Sequence, residues 1–217
     1  MDILVFDIET IPQQSELSKA QETHLDKQLT KRLGKDYLDD PDYEETKRLI
    51  MGTSPYLGEI CCIGIKKVLS NGQFDNVALK GAEPDILTRW WGIVSKHRGQ
   101  YVHYNGLGFD VPWIIKRSMF HGIRPTSKDF LELRRFQKYP HFDIQQILAD
   151  WDRFNIISLD LACDFLGVPS PKEGEIAAKD VAQAYADGKI DQIAEYCLRD
   201  VESTHQVYKI VTSYTKT

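Results

Sequence analysis

The stretch Ile3-Leu4-Val5-Phe6-Asp7-Ile8-Glu9 limits the folding options of this chain more than any other segment. An apolar, β-forming run leads directly into two carboxylates spaced two residues apart. On a strand that spacing puts Asp7 and Glu9 on one face and Phe6 and Ile8 on the other. Two carboxylates a few ångströms apart repel, and each favours its protonated form unless a cation sits between them. Two readings are open at this point: a divalent-cation site at the end of a buried strand, or an acidic loop that begins where the strand stops.

The chain has 217 residues, 42% of them hydrophobic and 27% charged. That predicts a single domain over 1–217 with a substantial core. No uninterrupted apolar stretch is long enough to cross a membrane. Residues 2–9 read as a core strand, not as a signal peptide. The four cysteines lack C-x-x-C spacing, and Cys61 and Cys62 are adjacent in an apolar run. They read as reduced core residues of a cytoplasmic protein, and a zinc site is disfavoured. The net charge of −5 excludes a broad basic surface that coats nucleic acid. Any such contact must be local, short and assisted by metal.

Residues 13–57 break the strand pattern. They are polar, with helical spacing over 17–33 and 43–51, and Asp39-Asp40-Pro41-Asp42 reads as a turn that caps the second helix. This is an inserted helical excursion, or flap, with too little apolar content for a core of its own. Strand character returns at 59–69, and Asn71-Gly72 predicts a hairpin into 73–80. An amphipathic helix over 83–97 starts at Pro84. A short strand at 100–104 precedes a helix over 110–121, with Pro112 in its first turn. Helices are predicted at 143–151, 158–166, 177–187 and 189–213. The order implies an α/β fold, a mixed sheet flanked by helices with an inserted helical segment after the first strand.

Two further acidic positions stand out. In Val102-His103-Tyr104-Asn105-Gly106-Leu107-Gly108-Phe109-Asp110 a strand runs through a glycine turn into a helix start. Asp110 there is either an ordinary cap or a carboxylate aimed at a neighbouring strand end. In Tyr196-Cys197-Leu198-Arg199-Asp200, Tyr196 and Asp200 share a helix face with Ile193 and Cys197 beside them, so the face points inward. An inward carboxylate needs a partner. A salt bridge to Arg199 is the plain alternative, although Arg199 faces elsewhere.

The blocks F-D-I-E-T, N-G-x-G-F-D and Y-C-x-x-D, in this order, resemble the three motifs of the DEDD 3′–5′ exonucleases, and most of all those similar to the exonuclease domain of family-B DNA polymerases. Pro55, Gly58-Glu59-Ile60, His121-Gly122-Ile123, His141-Phe142-Asp143-Ile144 and Gly167-Val168-Pro169 extend the likeness over most of the chain, with 13–57 only loosely patterned. The histidine subtype needs His five residues before the last Asp, where this chain has Glu195. The tyrosine subtype needs Tyr four residues before it, and Tyr196 is there.

The resemblance implies a ribonuclease-H-like fold and two-metal hydrolysis of phosphodiesters, with Mg²⁺ or Mn²⁺ as the two ions. It implies that Asp7, Glu9 and Asp200 hold one ion, that Asp7 bridges to the second, and that Asp110 reaches the second directly or through water. Tyr196 orients the attacking water. Thr10, with the backbone of residues 8–11, is expected to meet the terminal sugar. Asn105 has a substrate or a turn role, and Phe109 is a stacking candidate, as are Tyr104, Trp113 and Phe142, although burial preferences favour a core role for most aromatics at helical spacing. Lys172, Lys128, Arg134 and Arg135 are the candidates for phosphate contacts, with a solvated charged face as the plain reading of Arg134-Arg135-x-x-Lys138. Asp143 reads as a helix cap in preference to a fifth ligand. The expected substrate is the 3′ end of single-stranded nucleic acid, DNA in preference to RNA, with replication or repair proteins as partners in trans and no membrane. The alternatives are an exoribonuclease, or a non-catalytic nucleic-acid-binding module of the same fold.

Overall fold

A computed structural model describes residues 1–170 and 176–215. Five strands, β1 (Ile3–Pro12), β2 (Gly58–Val68), β3 (Phe74–Lys80), β4 (Gln100–His103) and β5 (His141–Asp143), form one sheet in the order β3-β2-β1-β4-β5. β1 runs antiparallel to β2 and parallel to β4; β2 pairs antiparallel with β3, and β4 parallel with β5. The helices are α1 (Lys19–Leu33), α2 (Tyr43–Gly52), α3 (Glu83–Val94), α4 (Asp110–Phe120), α5 (Ile144–Leu148), α6 (Leu159–Leu166), α7 (Val181–Ala186) and α8 (Ile190–Thr215). This is a mixed sheet flanked by helices, the α/β, ribonuclease-H-like class.

Alternation along β1 splits the core in two. Leu4, Phe6 and Ile8 join Trp90, Trp91, Trp113 and Phe130, the side covered by α3 and α4. Ile3 and Val5 join Val201, Val207 and Tyr208 of α8, while Ile11 packs with Cys62, Ile193 and Cys197. Asp7 and Glu9 therefore fall between two apolar clusters on the α8 face, where the period of two puts them. Each buried aliphatic or aromatic side chain contributes about 1.5–3 kcal/mol of transfer free energy, so the strand is held by both layers. β2 approaches α8 so closely that a Cβ on Gly64 would lie 2.8 Å from Cys197 Sγ. A larger residue at position 64 would push α8, which carries Tyr196 and Asp200, away from β2, the strand that pairs with Asp7 of β1.

Several boundaries differ from the sequence reading, each for a physical reason. β1 continues to Pro12 because β2 keeps pairing with it through Gly58, with a register shift between Glu9 and Thr10. Helix 143–151 is replaced by β5 and the short α5. Three residues carry no periodicity, and β5 exists only through pairing with β4. The helix over 177–187 divides into a 3-10 turn (Ala178–Asp180) and α7. Asp42 holds the cap position of α2 without a side-chain bond, and the Asp40 carboxylate takes the Asp42 N–H instead. Residues 13–57, which the sequence reads as too poor in apolar side chains for a core of their own, contribute to a small buried core. Leu25 and Leu29 of α1 meet Ile50 and Met51 of α2 over the fully buried Leu57. Helical spacing hides this core because both helices are polar on average and share one narrow seam.

A buried ion cluster joins β2, α3 and α4. Glu83 accepts the Ile60 N–H (2.8 Å) and the Arg117 guanidinium through Nε (2.9 and 3.1 Å) and Nη2 (2.6 Å), and His121 Nε2 lies 2.6 Å from it. Glu83 and Arg117 side chains are 4% and 3% exposed, so their charges are nearly withdrawn from water.

Candidate active site

The three acidic blocks come from separate elements and meet at one cleft. β1 supplies Asp7 and Glu9, the start of α4 supplies Asp110, and α8 supplies Tyr196 and Asp200; all five line the same cavity of about 700 Å³. Asp110 does not cap its own helix, whose N-cap is Phe109. Its carboxylate reaches back to β1 and accepts the Ile8 N–H at 3.0 Å. Edge pairing of β1 beyond Val5 is lost on the β4 side, and Asp110 takes up one of the freed donors between Asp7 and Glu9, the acids of the first block, F-D-I-E-T (motif I).

The glycine turn that delivers Asp110 is fixed from below. Asp143 caps α5 through the Gln146 N–H, and also accepts the N–H groups of Asn105 (Oδ1, 3.0 Å) and Leu107 (Oδ2, 3.0 Å). Asn105 has φ 63°, and a Cβ on Gly106 would lie 2.3 Å from the His103 ring. His103 Nδ1 accepts the Gly106 N–H, which leaves its Nε2–H to donate to His141 Nδ1; His141 Nε2–H in turn donates to the Phe130 carbonyl. Burial lowers both histidines to about 3, so this chain of bonds stays neutral.

Burial and mutual repulsion push the acids upward. Asp7 is raised well above the usual carboxylate range by desolvation and then by Asp110, Asp200 and Glu9. Glu9 is raised likewise by desolvation and by Asp200. Asp110 rises to about 7, chiefly through burial. The Tyr196 hydroxyl is hydrogen-bonded to Asp200, and burial together with the neighbouring acids raises it far above 10. Arg199 stacks over the Tyr196 ring at 5.8 Å, closer than its sequence position suggests.

The donor set fits a hard divalent cation. Ligand atoms of Asp7, Glu9 and Cys197 lie within 4.8 Å of one another. The Cys197 sulfur accepts the Gly64 N–H (3.1 Å) and donates to the Asp7 carbonyl (3.5 Å), and burial drives its pKa up. The thiol thus stays protonated, and the available donors are carboxylate oxygens, which suit Mg²⁺ or Mn²⁺ better than zinc.

A pH-dependent effect follows. The raised carboxyls bind their protons more tightly in the folded chain than in the unfolded one. For Asp110, the resulting stability is complete below its unfolded pKa of 3.8 and lost as pH rises through about 7. A divalent cation needs the ionised forms, so its effect runs the other way. Mn²⁺ should raise the thermal midpoint more at about pH 8 than at about pH 5.5. Differential scanning fluorimetry at both pH values reads this, and an equal shift at both would count against a carboxylate site.

Of the substrate candidates, Thr10, Asn105, Phe109 and Tyr104 line the cleft. The Thr10 hydroxyl donates to the Gly52 carbonyl (2.6 Å), which ties β1 to α2. Trp113 and Phe142 are core residues, each 2% exposed. Lys128, Arg134 and Arg135 are not among the residues lining the cleft, and Lys172 lies outside the described residues. Sequence reasoning missed Arg48 and Lys179, which do line it.

Residues 55–216 match the model of a family described as a predicted 3′-5′ exonuclease related to the exonuclease domain of PolB. A DNA polymerase of Pyrococcus glycovorans is 23% identical over 144 residues, covering 60% of this chain and 18% of that protein. An uncharacterized protein of Methanocaldococcus jannaschii is 26% identical over 171 residues, covering 74% of this chain and 89% of that one. A family B DNA polymerase structure from Pyrobaculum calidifontis aligns over 98% of this chain and 25% of its own length, with TM-score 0.62 and 17% identity, and shows the shared fold. The chain spans under a fifth of the Pyrococcus polymerase and nearly all of the Methanocaldococcus protein. By the extent of the family match, the chain belongs to the predicted 3′–5′ exonucleases related to the exonuclease domain of PolB.

Proposed function

We propose that the chain is a metal-dependent 3′–5′ exonuclease that removes nucleoside 5′-monophosphates from the 3′ end of single-stranded DNA. The observation that carries this reading is the convergence of Asp7, Glu9, Asp110 and Asp200, from three separate elements, with Tyr196 in one open cleft. Concentrating acids there works against stability in the ion-free protein, as their raised affinities for protons indicate. That cost is expected where the site exists for a cation. A binding module of the same fold would have no reason to keep all four.

Asp7, Glu9, Asp110 and Asp200 would hold the ions. Two bound divalent cations supply an acidified water and neutralise charge on the attacking and leaving oxygens of an in-line displacement. The chain's own groups do the positioning. Tyr196 keeps its proton near neutral pH, so its hydroxyl orients water by hydrogen bonding and does not act as the base. Asp110, tied to the Ile8 N–H, holds α4 against the motif I strand. Phe109 and Tyr104 offer ring faces to a terminal base, and the Thr10–Gly52 bond leaves the β1 backbone to meet the sugar. The DNA polymerases among the similar proteins support DNA as the polymer.

Tyr196→Phe should lower turnover by about 10- to 100-fold, since it removes one water-orienting group and no ligand. Its Mn²⁺-induced thermal shift should match that of the wild type; loss of that shift would instead make Tyr196 part of the metal site.

The function is tested with linear and circular single strands of one sequence, as DNA and as RNA, in Mg²⁺ or Mn²⁺. Linear DNA should yield mononucleotides while the circle stays intact. A cut circle means endonuclease activity, and faster loss of RNA would shift the assignment to an exoribonuclease.

A further inference from the structure

The α2 helix shows the cleft a regular stripe: Glu45, Arg48, Leu49, Gly52 and Thr53 all line it, at the i, i+3, i+4, i+7, i+8 positions of one helix face. The opposite side of α2 is anchored. Ile50 and Met51 are buried in the small core under α2, and on the cleft side the Gly52 carbonyl accepts the Thr10 hydroxyl of β1. The stripe is thus carried on a packed helix and held in register with the catalytic acids. The 3-10 turn Ala178–Asp180 and the start of α7 line the same cleft, with Lys179 exposed.

The charge of this cleft creates a problem for a polyanionic strand. Among the described residues, six carboxylates line it, and Arg48 and Lys179 are its only Lys or Arg side chains. Neither cation is within ion-pair distance of an acid among the described residues. Arg48 uses only Nε, to the Glu44 carbonyl at 3.3 Å, so its two terminal nitrogens remain available for a planar, bidentate grip on phosphate. The metal ions can neutralise only the phosphate being cut. The phosphates upstream of it must find their cations on the walls.

We infer that the inserted segment is the substrate-holding wall of the cleft, and that Arg48 on α2 and Lys179 on the 3-10 turn bind backbone phosphates of the single strand on the 5′ side of the scissile linkage. This rests on reading the cleft as a nuclease site and adds two substrate-binding residues to it. The insertion is then part of the substrate site, and the two cations set affinity for the polymer while the carboxylates set the chemistry. Because no other cation among the described residues shares the cleft, each should matter more than a lysine or arginine on an extended basic surface.

The test measures binding of a 5′-fluorescent single-stranded oligodeoxynucleotide to the full chain in Ca²⁺, with a phosphorothioate at the last linkage to slow cleavage. Neutral methylphosphonates are placed one at a time through the upstream linkages. Wild-type affinity should fall about tenfold when a phosphate held by Arg48 or Lys179 is neutralised. Arg48→Gln should bind about tenfold more weakly and be insensitive to one of those positions; Lys179→Gln should behave likewise at its own position, and Arg48→Lys should recover part of the sensitivity. Each Gln variant should also reduce the dependence of log affinity on log salt by about 0.7. Strictly additive losses at every position, or unchanged affinity and salt dependence in both variants, overturn the inference and leave the nuclease reading intact. If the wild type binds no single strand under any of these conditions, the nuclease reading itself fails, and the inference falls with it.

Discussion

Asp7→Ala should reduce nucleotide release about 10³-fold or more while the protein stays folded. Asp7 is influenced by each of the other three acids of the site. Its affinity for protons is raised first by burial and then by Asp110, Asp200 and Glu9, and its Oδ2 lies 3.8 Å from Cys197 Sγ. Removing it takes away the carboxylate assigned to both ions. Loss of metal-ion stabilisation worth several kcal/mol corresponds to about three orders of magnitude in rate. The same substitution relieves repulsion in the ion-free protein. At neutral pH, Asp7→Ala without metal should therefore melt no lower than wild type, and its Mn²⁺-induced shift should nearly vanish. This pairing of outcomes separates loss of the site from loss of the fold. Activity within about tenfold of wild type would remove Asp7 from the mechanism.

The largest effect on stability is expected from Glu83, which does not line the cleft. Glu83→Ala should cost about 3–5 kcal/mol, because it strands the Arg117 guanidinium in the interior together with the Ile60 N–H. Breaking such a pair from one side costs more than the pair contributes, since the remaining charge is left desolvated. For a chain of this size the thermal midpoint should fall by roughly 6–20 °C. Glu132→Ala is the comparison: its ion pair with Arg134 is 43% and 62% exposed, and its loss should change stability by about 0.5 kcal/mol or less. Urea unfolding of both variants decides the matter. Equal, small effects would mean that the Glu83 cluster is hydrated or is not the clasp between β2 and α4.

The contrast between those two glutamates also marks what the sequence could reveal. Glu83 reads as an ordinary first-turn helix acid beside Pro84, and nothing local announces that Ile60, Arg117 and His121 converge on it. Its burial is a tertiary fact. Asp7 and Glu9 were legible because an alternating strand fixes which side chains share a face, whatever lies opposite. Tyr196 and Asp200 were legible for the same reason on a helix. Asp110 was legible as a helix start, but its bond to the Ile8 N–H depends on the parallel pairing of β1 with β4, which ends at Val5 and Val102. β5 was invisible because three residues carry no period. Arg48 escaped notice because residues 13–57 are polar on average and read as a solvated face. Only the small core under Ile50 and Met51 shows which side of α2 turns to the cleft. Lys128, Arg134 and Arg135 do not line the cleft, in keeping with the reading of Arg134 and Arg135 as a solvated charged face.

The central claim, that these acids form a 3′–5′ exonuclease site, is tested most directly by a time course on a single-stranded DNA labelled at its 5′ end. In Mg²⁺ or Mn²⁺ the label should remain on a ladder that shortens from the 3′ end, and EDTA should stop the reaction. Immediate release of a labelled mononucleotide, internal fragments, or a strand bound tightly and left whole would contradict it.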